Sequence, residues 1–86
     1  MELKKSTRKD KKYMVLVSDK WIHFGDKNYQ HYEDKTPLGL YSHLDHHDVE
    51  RRNRYLKRAT KIRDKQGNFT CDDTHSSNFF AIKYLW

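Results

Sequence analysis

The chain has 86 residues, with 18 Lys and Arg against 12 Asp and Glu, so it carries a net charge of +6 and an isoelectric point near 9.5. That length allows one small domain, whose core must come from a few large side chains; aromatics supply 14% of the residues, and each buries roughly 150–250 Å². No apolar run approaches the roughly 20 residues that span a bilayer, and a single cysteine, Cys71, cannot close an internal disulfide, so neither a transmembrane helix nor a disulfide scaffold is expected. The expectation is a soluble protein of the cell interior, or of a particle assembled there, and not a secreted one.

Residues 1–12 hold Lys4, Lys5, Arg8, Lys9, Lys11 and Lys12, with no apolar residue after Leu3. They predict a flexible basic arm with nothing to bury, followed by one compact domain over 13–86. Tyr13-Met-Val-Leu-Val17 and Trp21-Ile-His-Phe24 are β-branched and aromatic, and Ser18-Asp19-Lys20 between them supplies turn chemistry, so a β-hairpin is expected over 13–24. Residues 25–45 read as an irregular connection with Tyr29, Tyr32, Leu38, Leu40, Tyr41 and Leu44 as core anchors. A helix is expected from about 48 to 63, capped by Asp45 or Asp48. Val49, Arg52, Tyr55 or Leu56, Ala59 and Ile62 fall at spacings of three and four, a narrow stripe that should pack on the hairpin. Gly67 suits a stop, residues 69–73 leave room for a third short strand, and Ser76 or Ser77 can cap a short aromatic helix over 78–86 that docks into the core. The fold class is α+β: a hairpin, one basic helix and an aromatic C-terminal helix.

The basic helix carries the functional signal. After Asp48 the chain supplies Arg51, Arg52, Arg54, Lys57, Arg58, Lys61 and Arg63, with only Glu50 opposing them. Solvated helix faces usually mix signs, whereas here like charges stand four residues apart at Arg54–Arg58 and Lys57–Lys61, which repel. An anionic partner relieves that repulsion, and nucleic acid is the commonest polyanion. The candidate contacts are Arg51, Arg54, Lys57, Arg58 and Lys61 on the helix, joined by Lys9, Lys11 and Lys12 of the arm. His46, Asp48, Arg52 and Tyr55 form a second set, read as an internal network in which Asp48 or Asp45 pairs Arg52 and the Tyr ring covers its stem. No helix-turn-helix or zinc-finger signature is visible, so binding without sequence reading is expected.

From Trp21 onward the chain resembles an uncharacterised family of small basic proteins of large double-stranded DNA viruses and tailed bacteriophages. The residues that carry the resemblance are His23-Phe24-Gly25-Asp26, then His46, Asp48, Arg51, Arg52, Tyr55 and Arg58, and the aromatic ending from Phe79 to Leu85-Trp86. Family members often carry His where this chain has Ala59, and the segment from Pro37 to Asp45 is longer here than in the phage members. The resemblance implies viral origin and a compact fold, and no reaction.

Three other chemistries are compatible with parts of the sequence. Exposed Tyr29, Tyr32 and Tyr41 could stack unpaired bases, although so small a domain needs its aromatics inside. His43 with His47 and Cys71 with His75 have zinc-compatible spacing, but no close Cys pair accompanies them. A hairpin followed by a helix with His46, Asp48 and Asp45 is also the outline of a compact metal-dependent nuclease, but Ala59 removes the second helix His. The resulting expectation is a non-enzymatic viral protein that binds DNA by charge, in the virion or the infected cell, with no cofactor, metal or membrane. The alternative is a minor virion protein whose Arg face meets acidic capsid or core proteins.

Overall fold

The computed structural model describes residues 2–86. Three antiparallel strands come first: β1 (Leu3–Lys5), β2 (Lys11–Val17) and β3 (Lys20–Asp26), in the spatial order β1-β2-β3. Two helices follow, α1 (Val49–Ala59) and α2 (Ser77–Leu85), with short 3-10 turns at Ser42–Leu44 and Thr70–Asp72. The α+β class expected from the sequence is the one observed. Among the described residues, no helix is long and apolar enough to cross a membrane.

The β2–β3 hairpin turns through Ser18 and Asp19, whose φ values of 48° and 65° give the two left-handed central residues that suit a tight hairpin. Its register sets Tyr13 opposite Phe24 and Val15 opposite Ile22, which places these four side chains on one face. Against that face α2 lays Phe80, Ala81 and Leu85, and Tyr41 enters from the connecting loop. The rings interlock: Tyr13 meets Tyr41 edge-on at 5.2 Å, and Phe24 stacks on Tyr84 at 5.7 Å. Ser76 caps α2 by accepting the Phe79 N–H at 3.1 Å.

Several expectations need correction. The segment expected as a flexible arm is built into the sheet. Leu3 sits opposite Val15 and packs on the core, Lys4 faces Met14 with its ammonium 5.4 Å above the Trp21 ring, and Lys12 is buried within β2. One anchoring Leu and a ladder of backbone bonds suffice, because the lysine stems can lie along apolar neighbours. Met1 lies outside the described residues. The second correction concerns what covers the hairpin. That element is α2, whereas α1 meets the two ends of α2 through the Tyr55 ring stacked on Trp86 and the Ala59 carbonyl accepting from Asn78, leaving Val49 and, beyond the helix, Ile62 about half exposed. A stripe that includes Arg52 and keeps only Ala59 buried has too little apolar area to compete for the sheet with α2, which brings Phe79, Phe80, Ile82, Tyr84 and Leu85.

The helix also stops before the predicted residue 63. Asn78 donates to the Ala59 carbonyl at 2.9 Å and the Thr70 N–H to the Ile62 carbonyl at 2.9 Å, so the segment after the helix takes carbonyls that another turn would have used. Residues 69–73 form only an isolated bridge, Arg63 to Phe69, before the second 3-10 turn. In the long connection Tyr41 is buried and Tyr32 and Leu44 are partly so, but Tyr29, Leu38 and Leu40 are exposed.

Candidate nucleic-acid interface

The connection from β3 to α1 is held by polar groups rather than by apolar anchors. The Asp34 carboxylate accepts from the Tyr13 hydroxyl, from the N–H and hydroxyl of Thr36 at 3.0 and 2.6 Å, and from the Tyr41 N–H at 3.1 Å. Burial works against its ionisation, but these donors outweigh it and hold the carboxyl below the usual range. Burial and the Asp34 hydrogen bond push the Tyr13 hydroxyl up to about 12. Further along, the N–H groups of Glu33 and Lys35 donate to the carbonyls of Leu85 and Tyr84 at 3.1 and 2.9 Å, which satisfies the open end of α2.

Beneath this connection lies a buried chain of three ionisable groups. Lys12 Nζ donates to the Tyr29 carbonyl at 2.7 Å and meets His31 Nδ1 at 2.8 Å, while His31 Nε2 meets Asp45 Oδ1. With the lysine donating to Nδ1, the imidazole is neutral and passes its Nε2 proton toward the carboxylate. It thereby links a buried cation to an anion without charging itself. Burial and the Lys12 charge both hold His31 below the ordinary histidine range. Burial pushes the Lys12 amine down to about 8, against the pull of Asp26, Asp34 and Asp45.

Above Lys12 opens a cleft of about 600 Å³, walled by the open end of the hairpin, Tyr29 and Gln30, one face of α1, and α2. Lys11, Lys12, Arg51, Arg54 and Arg58 line it, and Asp26 is the single acidic side chain among them. On α1 the three arginines recur at spacings of three and four, which places them on one face. Asp48 supplies the N-cap, accepting from the N–H groups of Glu50 and Arg51 at 3.0 and 3.2 Å. Among the described residues, no Lys or Arg of α1 lies within ion-pair distance of an Asp or Glu side chain. Arg51 Nη1 donates to the Gln30 amide oxygen at 2.9 Å, a neutral partner that orients the guanidinium and leaves its charge uncompensated.

Of the residues expected to contact nucleic acid, Lys11, Arg51, Arg54 and Arg58 therefore share one cleft. Lys9, Lys57 and Lys61 are exposed outside it. Lys12 requires correction: at 1% exposure, with its ammonium engaged by Tyr29 and His31, it is a structural cation under the cleft rather than a contact residue.

The second predicted set, His46, Asp48, Arg52 and Tyr55, gathers largely around Trp86. Tyr55 stacks on the Trp86 ring at 4.1 Å and 9°, the His46 ring lies 5.2 Å from it, and Arg52 Nε donates to the Trp86 main-chain oxygen at 2.7 Å. The Asp48 N–H donates to His46 Nδ1 at 2.8 Å. Within the set the expected pairing is absent: Arg52 pairs with neither Asp48 nor Asp45 and spreads over the Tyr32 ring at 5.3 Å. Burial, with help from the Arg51 charge, holds His46 below the ordinary histidine range.

Among the described residues, no three His, Cys, Asp or Glu side chains converge as metal ligands would. The zinc spacing of His43, His47, Cys71 and His75 thus finds no cluster there: His47 faces Glu33, His75 faces Asp73, and the Cys71 thiol lies 3.7 Å from the Thr60 carbonyl. Sequence reasoning missed the roles of Gln30, His31 and Trp86. A lone His and Gln in an irregular stretch carry no spacing signal, whereas the apolar, aromatic-rich ending did announce that the C-terminal segment would dock into the core.

Among known proteins, the model of a family of unknown function (DUF5754) matches residues 1–37. The match spans the sheet and the start of the connection, including Lys11, Lys12, Tyr29 and Gln30 on one side of the cleft, and stops short of α1. No curated protein matches the chain, and no solved structure does.

Proposed function

We propose that this chain binds nucleic acid, DNA in the first instance, through its phosphates and without reading base sequence, and that it acts as a binding protein rather than an enzyme. The observation that carries this reading is the convergence of Lys11, Arg51, Arg54 and Arg58 on one cleft, with no carboxylate within ion-pair distance of the three arginines among the described residues. Guanidinium groups fork onto phosphate oxygens in pairs, and a phosphate between Arg54 and Arg58 turns their mutual repulsion into attraction. Lys9, Lys57 and Lys61 extend the positive surface for neighbouring phosphates. The resemblance of residues 21–86 to viral and phage proteins supports a genome-associated role in the virion or the infected cell.

A gel-shift series with random duplex DNA across about 50 to 200 mM salt tests the reading. Neutralising about five to seven phosphates gives a log–log slope of about −5 to −6. No retardation at the lowest salt, together with co-purification on capsid protein, would replace nucleic acid with an acidic protein surface as the partner.

A further inference from the structure

Besides its cations, the cleft carries an aromatic ring with little part in packing. Tyr29 lines the cleft with 68% of its surface exposed, in a domain that needs its rings inside. Its backbone is nevertheless tied down: Lys12 Nζ donates to its carbonyl at 2.7 Å, and its N–H donates to the Asp26 carbonyl at 3.2 Å. The next residue, Gln30, accepts from Arg51 at 2.9 Å, which ties this wall to the arginine wall opposite. An exposed ring on a fixed backbone, beside an oriented guanidinium, loses little freedom when a planar ligand stacks on it. Tyr55, Leu85 and Trp86 add apolar lining.

The size of the cleft points the same way. About 600 Å³ lies within the range of small-ligand pockets, roughly 300–1,000 Å³. It accommodates a nucleotide or two and not a stack of base pairs. In a duplex each base face is covered by its neighbours, so only an unpaired base can offer a π-face to Tyr29 while its phosphates reach the arginines. Resting on the nucleic-acid reading above, we infer that the cleft takes an unpaired segment of a nucleic-acid strand, with phosphates on Arg51, Arg54 and Arg58 and a base stacked on Tyr29.

The experiment is fluorescence anisotropy of the intact chain with two labelled probes of equal phosphate number, an oligothymidine and a hairpin duplex, at one salt concentration. The single strand should bind about tenfold tighter or better. Tyr29→Ala should weaken single-strand binding roughly five- to a hundredfold, the range for removal of one base–aromatic stack. Tyr29→Trp should restore it, and duplex affinity should stay unchanged in both variants. Equal or tighter binding of the duplex, or a folded Tyr29→Ala protein that binds the single strand as wild type does, overturns this inference and leaves the nucleic-acid reading standing. Failure of folded wild type to bind either probe overturns both.

Discussion

The sheet with α2 and the helix α1 are held in place by opposite means. In the first region rings fill the space: Tyr13, Phe24 and Phe80 have no exposed surface. In α1 only Ala59 is buried, and the helix is held by a stack on Trp86, one arginine bond to a main-chain oxygen and a capping aspartate. The lesson is that charge accumulates where packing demands least. A helix fixed along one narrow line can carry arginines around much of its circumference, and the face turned to the cleft is free to serve a ligand.

Substitutions should separate the two regions. Phe24→Ala should cost about 3–5 kcal/mol, the usual loss for a buried aromatic, and in so small a domain should unfold much of the population; denaturant titration measures it. A loss under about 1 kcal/mol would mean that the sheet and α2 are not the core.

Next in size is a pH effect seated under the cleft. Lys12 loses its proton near 8 in the folded chain and at 10.5 when unperturbed, so between those values the unfolded chain binds more protons and stability rises with pH. The gain is on the order of 3 kcal/mol. Tyr13 has the opposite sign: its hydroxyl ionises near 12 rather than 10.0, so stability falls between those values. Urea titrations should therefore place an alkaline maximum near pH 10, from the two windows just given, and Lys12→Met should flatten its rising side. On the acid side, His31 and His46 are held neutral below the ordinary range of 6.5, so stability should also decline as pH falls below that value.

A smaller effect belongs to α1. Asp48→Ala removes the cap from its first turn and should cost about 1 kcal/mol. Amide exchange should then quicken in α1 and stay slow in β2, whereas uniform quickening would mean that the two regions unfold as one unit. Smallest of all, Arg58→Gln should change stability by no more than about 0.5 kcal/mol, in either direction, because it breaks no ion pair and relieves a repulsion. A larger loss would show that Arg58 has an internal partner.

Much of this contrast was legible in the sequence. Alternation and turn chemistry announced the hairpin, the pairs Asp45 or Asp48 and Ser76 or Ser77 announced two helix starts, of which the structure uses Asp48 and Ser76, and the run of arginines announced the basic face. Three things were not legible. A three-residue strand such as Leu3–Lys5 has too few apolar positions to show a period, so it read as a loose arm. The burial of Lys12 depends on His31 and Tyr29 arriving from a distant loop, which local composition does not encode. The meeting of Lys11 with Arg51, Arg54 and Arg58 is a product of topology: α2 fills the sheet face and leaves α1 standing at the hairpin's open end. Which residues were cationic could be read directly; which of them face one another could not.

The central claim is that Arg51, Arg54 and Arg58 stand, among the described residues, without an Asp or Glu within ion-pair distance and form one anion site. The most direct test compares the salt dependence of DNA binding by wild type and by Arg51→Gln/Arg54→Gln/Arg58→Gln. The log–log slope should shrink by about 2.7 in the triple variant, or about 0.9 for each phosphate no longer neutralised, while unfolding stability stays within about 1 kcal/mol of wild type. An unchanged slope, or a triple variant that loses stability in step with affinity, would contradict it.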